Sequence, residues 1–160
     1  MNKIAIIMGS DSDLETLQEA VKVLKDFGVA FDIKVLSAHR TPKEVSAYVE
    51  AAPKKGIKVF IAAAGGSAAL AGVIAAHTTL PVIGIPIETK SLSGLDSLFS
   101  TVQMPGGIPV ATMAIGKAGA KNAALFALEI LGTSDSKISD KLTKYKQDMR
   151  LKIKNIKIKV

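Results

Sequence analysis

Five short apolar runs, alternating with stretches of helical spacing, constrain this chain more than anything else in it. Ile4-Ala5-Ile6-Ile7-Met8 is the first, closed by Gly9; Phe31 to Leu36, Ile57 to Ala63, Pro81 to Ile85 and Val110 to Ile115 are the others. Apolar runs this short, bounded by glycine or proline, read as strands. After the first, Leu14, Leu17, Val21, Leu24 and Phe27 keep the spacing of one helix face, and Gly28 stops it. Pro42 suits the first turn of a helix reaching about Ala52. Ser67 to His77, Leu95 to Gln103 and the alanine-rich Ala118 to Leu131 continue the alternation. Thr133 to Arg150 follows as a further helix, with Ile138, Leu142, Tyr145 and Met149 on one stripe. Strands apolar on both faces belong in a parallel sheet covered by helices on each side. Right-handed crossovers then predict an α/β fold: a three-layer, doubly wound sandwich of about five strands in the order 2-1-3-4-5, plus a C-terminal helix.

The 160 residues are expected to form one domain, with a core over 1–132 and a C-terminal helix and basic tail over 133–160. No apolar run reaches the length of a membrane span, and Met1-Asn2-Lys3 leads straight into a strand, so neither membrane nor secretory signal is expected and the cytoplasm is the expected location. The absence of cysteine excludes disulfides and thiolate catalysis. The net charge of +7 is local: residues 137–160 hold nine of the 21 basic residues and two of the 14 acidic ones, leaving twelve of each elsewhere. The basicity belongs to a tail with no interleaved aromatics for base stacking, so nucleic acid is not an expected partner. That tail, Leu151 to Val160, alternates Lys with Ile and is compatible with a strand, a helix end or disorder.

In an open parallel sheet, ligands bind beyond the carboxyl ends of the strands, where strand order reverses. Three loops fall there. Gly9-Ser10-Asp11-Ser12-Asp13 offers a tight turn, hydroxyls and free amides at a helix start for a phosphate, with Asp13 as an acceptor for sugar hydroxyls. Capping by Ser12 or Asp13 is the plainer role, but it needs one residue, not four. Ser37-Ala38-His39-Arg40-Thr41-Pro42 puts a group titrating near neutral pH beside a fixed cation. Arg40 presents a planar fork for phosphate, and His39 is the acid–base candidate of the three loops; alternatively Thr41 caps the helix and His39 points at solvent. Ala64-Gly65-Gly66-Ser67 lets backbone amides approach a ligand, or is a tight strand–helix turn. His77, late in a helix, reads as structural. No His, Asp and Glu cluster has metal-ligand spacing, so a metal-free site is the expectation. A phosphorylation-receiver domain would carry aspartate where the third strand ends in Ala64-Gly65-Gly66, and a flavin carrier would want more aromatics than this chain holds.

Taken together, Gly9 to Asp13, Ser37 to Pro42, Gly94-Leu95-Asp96-Ser97-Leu98 and Gln103-Met104-Pro105-Gly106-Gly107-Ile108-Pro109-Val110-Ala111-Thr112 resemble the PurE family of purine biosynthesis, over roughly residues 3 to 150. The resemblance implies a flavodoxin-like subunit in a homo-octamer with sites at subunit contacts. It also implies a mutase activity, in which a carboxylate moves from the exocyclic nitrogen of 5-(carboxyamino)imidazole ribonucleotide to ring carbon 4. On that resemblance Ser10 and Asp13 hold the ribonucleotide with Ser12 and Ser37 nearby, and Arg40 grips its phosphate. His39 shuttles protons, and the loop of Gly65, Gly66 and Ser67 closes over transient carbon dioxide. No cofactor is implied, because the aminoimidazole supplies its own electron-rich carbon. The third loop departs from the pattern. Mutases of the family read Ala-Gly-Gly-Ala-Ala-His-Leu-Pro-Gly, whereas this chain has Ala69 for the histidine and Ala71 for the proline. Ser67 and Ala69 are shared with the carboxylase branch, which takes free carbon dioxide, but Arg40 stands where carboxylases tend to carry lysine. Mutase is therefore the expectation and carboxylase the alternative. A non-catalytic nucleotide-binding module, engaging an acidic partner through its tail, is the reading from a different class.

Overall fold

A computed structural model describes residues 3–158. Met1, Asn2, Lys159 and Val160, on which the start of the chain and the end of the tail were read, lie outside the described residues. Five strands, β1 (Ile4–Met8), β2 (Phe31–Val35), β3 (Val59–Ala64), β4 (Val82–Pro86) and β5 (Ala111–Thr112), form one sheet in the order 2-1-3-4-5. Every pairing is parallel, with Ile6 opposite Ile33 on one side and Ile61 on the other, and Ile61 in turn opposite Ile83. The helices are α1 (Leu14–Phe27), α2 (Pro42–Ala51), α3 (Leu70–Ala76), α4 (Leu95–Val102), α5 (Gly116–Gly132) and α6 (Ser136–Lys154).

The two-sided apolarity of the strands builds two cores. On one face, Ile4, Ile6, Met8, Val59, Ile61 and Ile83 meet Leu17, Leu24 and Phe27 of α1 and the small stripe Ala120, Ala123, Ala124 and Ala127 of α5. On the other, Ala5, Ile7, Phe60 and Ala62 meet Val45 and Val49 of α2 and Leu70, Ala71 and Ile74 of α3. Each fully buried Ile or Leu contributes roughly 1.5–3 kcal/mol by leaving water. Ile138 and Leu142 seat α6 on the first core, and Tyr145 stacks obliquely on Phe27 with ring centroids 5.9 Å apart.

Most element boundaries shift by one or two residues from those the sequence predicts, α6 runs on to Lys154 rather than Arg150, and three of the differences have a visible cause. The fifth strand is cut to Ala111–Thr112 rather than reaching Ile115. The chain bends at Ile115 into α5, and the Ala114 carbonyl lies so close to Gly119 of α5 that a Cβ there would collide with it. The third helix begins at Leu70, not Ser67, because Gly66 takes a left-handed φ of 68° and the next amides bond two residues back, Ala68 to Gly66 and Ala69 to Ser67. The sixth starts at Ser136, not Thr133, because the Thr133 and Ser134 amides still close the end of α5 on Ile130 and Leu131. Of the three readings of the tail, the helix end describes it as far as Lys154, and the stripe position Met149 is exposed.

Candidate active site

The strand order reverses between β1 and β3, and the loops leaving β1, β2 and β3 converge there. The Gly9 amide donates to the Ala63 carbonyl (3.1 Å) and the Leu36 amide to the Met8 carbonyl (2.9 Å), so the three loops leave the sheet in register.

In the first loop, extended Ser10 precedes a 3-10 turn over Asp11–Asp13. Its Oγ accepts from the Ser12 amide (3.4 Å), and its own amide donates to Asp13 Oδ2 (3.1 Å), a reciprocal capping box that fixes both side chains. The cap is thus Ser10 with Asp13, and Ser12 joins it by its hydroxyl, 2.9 Å from that of Ser10. Asp13 is buried, and burial pushes its carboxyl above the usual carboxylate range, against the opposing pull of hydrogen bonds from Ser10, Ser12 and Gly9 and the charge of Arg40.

The second loop closes on itself. Thr41 Oγ1 accepts from the Ser37 amide (2.8 Å) and donates to the Ser37 carbonyl (3.1 Å), so Thr41 ties the loop rather than capping α2 with its side chain. The Arg40 amide donates to Ser37 Oγ (3.2 Å), and its guanidinium Nη2 donates to the Gly9 carbonyl (2.7 Å). That last bond draws the cation across to the first loop and leaves other guanidinium N–H groups for an anion. In the third loop, the Gly66 amide donates to Ser97 Oγ of α4 (2.9 Å).

Between the loops lies a cavity of about 330 Å³. Gly9, Ser10 and Asp13 line it from the first loop, Ser37, Ala38, His39 and Arg40 from the second, and Ala64, Gly65, Ser67, Ala69 and Leu70 from the third. The structure therefore brings together His39, Ser10, Asp13, Ser37, Arg40, Gly65 and Ser67. Ser12 instead lines a neighbouring cavity of about 720 Å³ with Thr16, Thr89 and Lys90, and Gly66 turns its amide to Ser97. His39 is exposed at the cavity rather than packed in the core. The sequence pattern does not single out Ser97: α4 also carries Asp96, Ser100 and Thr101, and only the fold shows that Ser97 and Thr101 are the two of these that are buried. His77 sits at the end of α3, its Nδ1 3.2 Å from Glu50 Oε1, far from these loops in the sheet. Among the described residues, no three His, Asp or Glu side chains gather as a metal cage.

A cation, an imidazole, hydroxyls and a carboxylate line one cleft at the strand ends of a doubly wound α/β protein, the groups that binding a small anion and moving a proton require. The chain matches the AIR carboxylase family over residues 3–152 and belongs to that family. It is 59% identical over 150 residues to an N5-carboxyaminoimidazole ribonucleotide mutase of Pyrococcus abyssi, covering 94% of this chain and 85% of the relative. A mutase of the same name from Bacillus subtilis is 52% identical over 147 residues, covering 92% and 91%. The crystal structure of Treponema denticola PurE superposes with a TM-score of 0.86 at 30% identity, covering 96% of this chain and 94% of that one.

Proposed function

We propose that this chain is an N5-carboxyaminoimidazole ribonucleotide mutase of purine biosynthesis, with His39 as its proton shuttle. The observation that carries the reading is the meeting of His39 and Arg40 from one loop with Ser10 and Asp13 from another around one cleft. Arg40 grips the 5′-phosphate, Ser10 and Ser37 add hydroxyl contacts, and Asp13 accepts from the ribose hydroxyls. Protonated His39 gives its proton to the exocyclic nitrogen as the N–C bond to the carboxylate breaks, releasing carbon dioxide beside the ring. Carbon 4 attacks that carbon dioxide, the new C–C bond forms, and neutral His39 takes the proton that carbon 4 loses. The proton balance closes on His39, and no cofactor enters. Acid–base help of this kind is worth about 10²–10⁴-fold, and holding the gas against the ring adds an advantage of effective concentration.

The same reading places the enzyme in the cytoplasm as a homo-octamer. Among the described residues no helix is long and apolar enough to cross a membrane. Leu92, Leu95, Phe99 and Val102 stand exposed at helical spacing on and before α4, a stripe that suits burial against another copy. Light scattering of the purified chain tests the assembly, and a monomer at micromolar concentration would contradict it.

Turnover is tested by supplying the carboxyamino ribonucleotide in one assay and aminoimidazole ribonucleotide with bicarbonate in another. Rapid conversion of the first and slow conversion of the second is the expected result. The reverse preference would make the protein a carboxylase.

A further inference from the structure

The motif Gly94-Leu95-Asp96-Ser97-Leu98 lines no part of the cleft, yet its polar side chains are spent on the strand-end loops. Asp96 accepts from Thr89 Oγ1 (2.8 Å), and Thr89 Oγ1 accepts from the Gly94 amide (3.3 Å). Ser97 is fully buried. Its hydroxyl donates to the Ile87 carbonyl (2.7 Å) and accepts from the Gly66 amide (2.9 Å). Ile87 in turn donates its amide to the Ala64 carbonyl (2.9 Å). Exposed Ser100, one α4 turn further on, donates to the Gly66 carbonyl (3.3 Å). Both ends of Gly66 are therefore held from α4, and Gly66 is the left-handed residue on which the third loop turns.

The loop has little stiffness of its own. Ala64 to Ala69 contains two glycines, three alanines and a serine, with no proline and no side chain large enough to wedge it. A Cβ at Gly66 would meet nothing within 4 Å, so packing does not hold that residue in place. Its carbonyl takes a local bond from the Ala68 amide (2.8 Å), and what ties it to the rest of the fold is the pair of α4 hydroxyls.

We propose that Ser97, assisted by Ser100, is a positioning residue that holds the third loop closed over the cleft and so decides whether carbon dioxide released there is recaptured by the ring or lost to solvent. This rests on the mutase reading. In each turnover the N–C bond breaks to give the aminoimidazole ribonucleotide and carbon dioxide. The fate of that pair then splits: C–C bond formation at carbon 4 with loss of the ring proton to His39, or escape of both molecules. Loosening Gly66 opens the second route without touching Arg40, Ser10 or His39.

The test measures partition. Purified enzyme is given the carboxyamino ribonucleotide without added bicarbonate. The share ending as aminoimidazole ribonucleotide is measured against the share ending as the 4-carboxylate, after subtraction of the uncatalysed decay. Ser97→Ala is expected to raise the leaked share about tenfold, with KM within about twofold of the parent, since one hydrogen bond to a site loop is worth about that much. Ser97→Thr, which keeps the hydroxyl, is expected to restore the partition. Ser100 is exposed, so Ser100→Ala keeps the fold and is expected to leak about threefold more than the parent. Should both alanine variants show the parental partition, or lose kcat with no added leak, the positioning role is overturned. Failure of the unaltered protein to form any 4-carboxylate would instead overturn the mutase reading itself, and with it this proposal.

Discussion

Two cavities at opposite ends of the sheet make the clearest contrast in the molecule. The larger, about 950 Å³, opens at the start of β4 between Pro81, Val82, His77, Ile108, Phe126 and Ile130. The smaller, about 330 Å³, opens at the strand ends and carries Ser10, Asp13, Ser37, His39 and Arg40. Size and chemistry part company. In a parallel sheet every strand points the same way, so helix starts, with free N–H groups, gather at one end and helix ends, with free carbonyls, at the other. An anion is welcome at the first end and not at the second. The lone imidazole of the large cavity, His77, accordingly faces a helix end and Glu50, whereas His39 stands beside a guanidinium.

The sharpest way to break the contrast is to exchange the imidazoles' fates. His39→Asn is expected to cut turnover by about 10²–10⁴-fold while the ribonucleotide still binds, checked by steady-state rates beside calorimetric binding. A near-normal rate would remove His39 from the chemistry. Next in size, Arg40→Ala is expected to weaken ribonucleotide affinity about 10- to 100-fold, through loss of a charge-assisted pair and of the bond to the Gly9 carbonyl. An unchanged dissociation constant would take the phosphate elsewhere.

A smaller effect concerns Asp13. Its carboxyl holds its proton to a higher pH in the folded protein than in the unfolded chain, so the folded state binds more protons across that window. The stability it contributes is present below the unfolded carboxylate value and is lost as pH rises through its folded value. Melting curves of the parent against Asp13→Asn should therefore favour the parent most at the acid end and progressively less above it; a difference independent of pH would deny the shift. The smallest effect is expected at the large cavity: His77→Gln should leave kcat and KM within about twofold, because a partly exposed histidine–carboxylate pair contributes little. A large loss of activity there would make the two ends of the sheet equivalent.

The sequence made β1 and α1 legible to the residue, because an unbroken apolar run ended by Gly9 and one helix face ended by Gly28 leave no other reading. It did not fix the end of β5 or the start of α3. Hydropathy continues through Val110 to Ile115 and small residues through Ser67 to Ala69, and only the close approach at Gly119 and the turn at Gly66 stop the elements there. The cleft was legible because its chemistry sits in contiguous loops, each with its own unusual residues. The hold of Ser97 on Gly66 was not, because it joins positions 31 apart through a backbone amide, which no side-chain pattern announces.

The central claim is that these three loops move a carboxylate within one cleft. The most direct measurement supplies the carboxyamino ribonucleotide with a carbon-13 carboxylate in unlabelled bicarbonate and reads the label at the product's 4-carboxylate. Retention of the label in nearly all product is the result predicted. Product carrying unlabelled carbon from solution would contradict it.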